Sequence, residues 1–63
     1  MDVTYKVYPV ILPFKGIEDS FEKQEWCFKH FGSGWVLQSN EIRTQEWLFS
    51  EEKHAVEFAL RWA

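Results

Sequence analysis

Glu46-Trp47-Leu48-Phe49-Ser50-Glu51-Glu52-Lys53-His54-Ala55-Val56-Glu57-Phe58-Ala59-Leu60-Arg61-Trp62 contains the change of period that decides the fold class. Trp47 and Phe49 alternate with Glu46 and Leu48, the period of two that belongs to a strand. From Ser50 the spacing becomes helical. Ala55, Val56, Phe58, Ala59, Leu60 and Trp62 gather on one broad face, with Lys53, His54, Glu57 and Arg61 opposite. Ser50 with Glu51 and Glu52 predicts the helix start, because a hydroxyl accepts a free backbone N–H and acids complement the positive end of the dipole. Ala55 and Ala59 are small enough to let this helix approach its neighbours closely. A strand running straight into an amphipathic helix indicates an α+β domain.

Working outward, Trp35, Val36 and Leu37 form a second strand-like run, separated from the first by the polar stretch Ser39 to Thr44. The stretch suits a hairpin but lacks the Asn-Gly signal that would fix its register. Trp35, Leu37, Trp47 and Phe49 are expected to point toward the helices. Upstream, Asp19 and Glu22 have the spacing of a capping box, predicting a helix from about Ser20 to Phe31 that stops at Gly32. Ile17, Phe21, Cys27, Phe28 and Phe31 fall within one arc of that helix, with Trp26 roughly opposite Phe28 and Phe31. Val3, Tyr5 and Val7 alternate with Thr4, Lys6 and Tyr8, predicting a first strand that Pro9 ends. Val10 to Phe14 reads as an apolar loop over the core. The expected fold is a single α+β domain over residues 1–63, a two-layer sandwich in the order β-α-β-β-α. A short three-stranded sheet carries two helices on one face, as in a ferredoxin-like unit lacking its last strand. Thr4, Lys6, Tyr8, Val36, Gln38 and Leu48 are expected on the other face.

Composition narrows the function. Four Trp, two Tyr and six Phe in 63 residues are more ring surface than a small core absorbs. Some rings are therefore expected to serve a partner. A formal net charge of −3 and seven dispersed cations oppose phosphate binding, so nucleic acid is disfavoured. Cys27 is the sole cysteine, which rules out an internal disulfide and fits a reducing compartment. Val10 to Phe14 is too short to span a membrane, and no secretion signal is evident. The expectation is a soluble cytoplasmic protein with no membrane partner.

No reactive constellation emerges. Cys27 and His30 lie three apart and His54 is a conceivable third ligand, but structural zinc takes four ligands and catalytic zinc three plus water. Cys27 as a nucleophile lacks a helix N-terminus to lower its pKa. Glu18 with Asp19, and Glu51 with Glu52, are explained by the helix dipole. Gly32-Ser33-Gly34 follows a helix and is a connector, not a phosphate loop. The reading is of a non-enzyme without cofactor, metal or small-molecule substrate. Trp26 is the residue singled out for protein interaction, projecting into solvent near Lys29 and His30, with Tyr8 on the outer sheet face as the second ring. The competing rotation of the helix puts Trp26, Cys27, His30 and Phe31 inside and Phe21 outside.

The stretch from Trp47 to Trp62, with its aromatic strand, acidic helix start and Phe-x-Leu-x-Trp finish, resembles the ending of small uncharacterised proteins of tailed bacteriophages. Trp26-Cys27 and Phe31 through Trp35 are similar too. The resemblance covers about the last 40 residues and implies a phage accessory protein that binds and modulates a host protein in the host cytoplasm. The alternatives are a homodimeric structural domain and, third, a small nucleic-acid binder.

Overall fold

The computed structural model describes residues 6–38 and 43–63. Its elements are β1 (Tyr8–Pro13), α1 (Ile17–Phe31), β2 (Trp35–Gln38), β3 (Thr44–Phe49) and α2 (Glu52–Trp62), the expected β-α-β-β-α order. The sheet order is β1-β3-β2, and both outer strands run antiparallel to β3. β1 and β2 are thus parallel to each other, with α1 as the crossover and β3 inserted between them, a split β-α-β unit closed by α2.

The first strand lies later than the alternation of residues 3–8 predicts. Residues 3–5 of that run fall outside the described residues, and β1 occupies the stretch expected to be a loop, passing through both prolines. Phe14 donates its N–H to Arg43 O at 2.8 Å. Counting back by twos along the pleat, Leu12, Val10 and Tyr8 also face β3, whereas Pro9, Ile11 and Pro13 turn their nitrogens outward. The prolines sit where no ladder donor is needed, on an edge strand.

The helices start differently from their predicted caps. α1 begins at Ile17 behind Gly16, whose φ of 103° suits glycine, and Asp19 pairs with Lys23 instead of capping. α1 ends as expected at Gly32, whose N–H donates to Cys27 O and Phe28 O. α2 starts after Glu51, because the Ser50 hydroxyl donates to Gly34 O at 3.2 Å and ties the strand end to the turn before β2.

On β3, Gln45, Trp47 and Phe49 are buried beneath the helices. Trp47, Phe49, Phe58 and Cys27 are fully buried and form one core with Leu12 and Ala55, so both helices cover the same sheet face. Each large side chain there contributes roughly 2–3 kcal/mol of burial. The rings meet at angles: Trp47 lies 4.9 Å and Phe49 5.1 Å from Phe58.

Candidate functional site

α1 is turned close to the second of the two rotations, with Phe21 outside and Trp26, Cys27 and Phe31 turned in, but His30, expected inside with them, is exposed. Its buried residues are Ser20, Lys23 and Cys27, a stripe of small and polar side chains against the sheet. Lys23 is 2% exposed, ion-paired with Asp19 and 5.6 Å from the centroid of Trp62. Ser20 Oγ accepts from Gln45 Nε2 at 3.0 Å and from Gln24 Nε2 at 3.3 Å, a polar bridge from helix to β3. The Ser20 hydroxyl and the Lys23 ammonium are thus both partnered, as burial demands, while Gln45 Oε1 is left without a partner among the described residues.

This rotation corrects the expected position of Trp26. It is half-buried and packs on α2, with ring centroids 6.1 Å from Phe58 and 6.2 Å from Trp62. His30 is exposed and stacks on Trp26 at 4.1 Å, its Nδ1 3.0 Å from Trp26 O. Lys29 is exposed and pairs with Glu25 at 3.1 Å. Together Trp26, Lys29, Glu22, Glu25, Arg61 and Trp62 line a shallow groove between the helices. Tyr8 lies opposite Phe49 in register and so belongs to the helix-covered face, beside the start of α2, not to the outer face.

Cys27 is fully buried, and desolvation pushes its thiol up to about 12. That is the opposite of what a nucleophile or metal ligand needs. His30, one turn away, turns to solvent, and His54 stacks on Phe31 at 4.2 Å while its Nε2 lies 3.2 Å from Glu51. Among the described residues no group of three His, Cys, Asp or Glu is placed to hold a metal, and no helix is long and apolar enough to cross a membrane.

Among the described residues Phe14, just past β1, is one ring outside the core; the others are Phe21 and Phe28. With Ile17 these two form an apolar stripe on α1 that is 63%, 65% and 66% exposed for Phe21, Phe28 and Ile17 respectively. Trp26 fixes one flank of α1 against α2. The stripe lies about 140–180° around the helix from Trp26 on the opposite flank, toward β2. Phe28 confirms the direction, meeting Trp35 of β2 edge-to-face at 5.3 Å. Sequence reading missed this surface because it assigned these residues inward on apolarity alone.

β2 is an outer strand of the sheet, and its Trp35 meets Phe28 of that flank. Gly34 O accepts from Ser50 N at 2.9 Å, so Gly34, Val36 and Gln38 direct their backbone groups to β3, and Trp35 and Leu37 direct theirs outward. No proline interrupts this edge. Around it, on the sheet face away from the helices, Val7, Val36 and Leu48 line a shallow apolar hollow of about 330 Å³ together with Trp35. Pro9 and Val36 flank Leu48 in register, and Ile11 is opposite Glu46. An apolar band therefore runs from the α1 flank around β2 onto the open sheet face, where the described strand residues include no ring.

Comparison with protein-family models, curated proteins and solved structures finds no match.

Proposed function

We propose that this protein is a non-enzymatic protein-interaction module that binds through the apolar band around β2. The observation that carries the reading is the outward stripe of Ile17, Phe21 and Phe28, on a helix that gives its inward positions to Ser20, Lys23 and Cys27. Contiguous apolar surface of this kind is uncommon on monomers and usual at interfaces. The buried thiol, with its raised pKa, supports binding over chemistry. An open sheet face without rings, on an acidic chain, supports a protein partner over single-stranded nucleic acid. The resemblance to tailed-phage proteins supports the role of an accessory protein that binds and modulates a host protein, for which Val7, Ile11, Val36 and Leu48 of the open sheet face are the contact surface. The homodimeric reading has its own support in β2, whose outer edge pairs with no strand among the described residues and whose Trp35 meets Phe28 of the α1 flank.

Affinity capture from a bacterial host lysate tests the proposal, with Ile11→Glu on the sheet face and Phe21→Glu on the helix flank as comparisons. A host protein retained in stoichiometric amount by the wild type and lost by Ile11→Glu is the expected result. Equal capture by all three forms, or none by any, would sink the host-binding role.

A further inference from the structure

We infer that the β2 edge and the adjoining α1 flank are occupied by a second copy of this chain, joined through an antiparallel β2–β2 pair. The inference rests on the interaction-module reading and names the occupant of one part of its surface.

The two edges of the sheet are chemically unlike. On β1, Pro9 and Pro13 remove outward donors and leave only Ile11 with an N–H on that side, which blocks strand addition. On β2, Trp35 and Leu37 each direct both an N–H and a C=O away from β3, and no strand among the described residues pairs with them. A two-fold axis through Val36 sets Trp35 of one copy against Leu37 of the other, and the reverse pair on the far side of the axis. Each such pair exchanges both of its bonds, so every outward backbone group of Trp35 and Leu37 in both copies is satisfied. The edge is self-complementary in this register.

Side chains agree with the backbone. On the open face, the axis brings Val36 against Val36, extending the row Leu48–Val36 into its symmetry mate. On the helix face, Trp35 comes beside Leu37 of the other copy. Phe28 packs on Trp35 at the junction, so the axis brings the Phe28 end of each α1 stripe toward the other copy. The stripe is about 16 Å long. A single added peptide strand would leave most of it wet, whereas a second copy brings an equal stripe toward it. A chain of 63 residues with no disulfide also has the size at which association commonly completes a small core.

Sedimentation velocity of the full chain over a wide concentration range, paired with amide hydrogen exchange, decides the matter. The wild type should sediment as a dimer of the 7.6 kDa chain at high concentration, with Trp35 and Leu37 amides exchanging at least about tenfold more slowly there than when diluted. Leu37→Pro copies the device of β1 onto β2 and should remain monomeric, and Ile11→Pro, on the edge already blocked, should leave the dimer intact. Should Leu37→Pro fail to fold, Phe28→Glu on the exposed stripe serves instead and should likewise give a monomer. A wild type monomeric at every concentration overturns the inference. So does a dimer whose Trp35 and Leu37 amides exchange as fast as in the monomer. If Phe28→Glu breaks such a dimer, the flank is still an interaction surface and only the strand pairing is wrong.

Discussion

Cys27 and Lys23 show how single residues on the inner face of α1 depend on their surroundings. The Cys27 thiol is pushed up to about 12 by burial, while in the unfolded chain it titrates near 8.5. Below about pH 8.5 the thiol is protonated in both states and contributes nothing to the pH dependence. Above it the unfolded chain loses the proton and the native state keeps it, so stability falls as pH rises toward 12, by about 1.4 kcal/mol per unit. Denaturant titrations at pH 8 and pH 10 should differ by about 2 kcal/mol more in the wild type than in Cys27→Ala. Equal differences would show that the thiol ionises freely in the native state. Lys23 presents the converse case, a buried cation held by the partly exposed Asp19 and facing Trp62. Asp19→Ala leaves that charge unpaired and should lower unfolding free energy by about 2–3 kcal/mol, whereas Lys23→Met, of similar length, should stay within about 1 kcal/mol of the wild type. Chemical denaturation of the pair measures both. A larger loss from Lys23→Met than from Asp19→Ala would mean that the ammonium itself holds α1 in place.

At the scale of elements, α1 separates what was legible from what was not. Its existence, its end at Gly32 and the runs Trp35 to Leu37 and Glu46 to Phe49 were readable, since period and capping are local properties. On α2, Ala55 and Phe58 turn inward as expected, but Val56 and Leu60 of the same expected face are exposed and His54, expected opposite, is half-buried. The rotation of α1 was not readable. Apolarity pointed to Ile17, Phe21 and Phe28 as the core face, but the inward side is Ser20, Lys23 and Cys27, where the Ser20–Gln45 bond and the Asp19 pair satisfy the polar atoms. Neither condition appears in a helical wheel. β1 was misplaced for a related reason: proline ends a ladder only where its nitrogen faces a neighbour, and the sequence does not reveal which side of the strand is paired. The candidate site shifted to Phe21 and Phe28, away from Trp26 because of the rotation of α1 and away from Tyr8 because of the register of β1 against Phe49. This yields a contrast between rings on one helix. Trp26→Ala removes contacts to Phe58 and Trp62 and should cost about 2–4 kcal/mol. Phe21→Glu, on an exposed side chain, should change monomer stability by less than about 0.5 kcal/mol. Thermal unfolding of dilute protein compares them, and a Phe21→Glu loss approaching that of Trp26→Ala would place the stripe inside the fold after all.

For the whole molecule, the unlike edges of the sheet determine how far association goes. If β2 pairs with β2 of a second copy, the composite sheet ends on both sides in β1, and growth stops because Pro9 and Pro13 face outward there. Closure of the assembly then depends on two residues that take no part in the core, both of them exposed. Replacing them together, Pro9→Thr with Pro13→Thr, restores outward donors on either side of Ile11 and turns β1 into a continuous open edge. Threonine suits an extended backbone, so the β1–β3 ladder should persist, and circular dichroism should match the wild type. The change is expected in assembly size alone: dimers acquire a second adhesive edge and add to one another without a closing symmetry. Static light scattering across concentrations should show the double variant passing beyond the dimer into a growing distribution, while the wild type levels off. A double variant that levels off at the wild-type mass would show that side chains, not the missing donors, protect the β1 edge, and the argument that β2 is the only edge open to pairing would lose its basis.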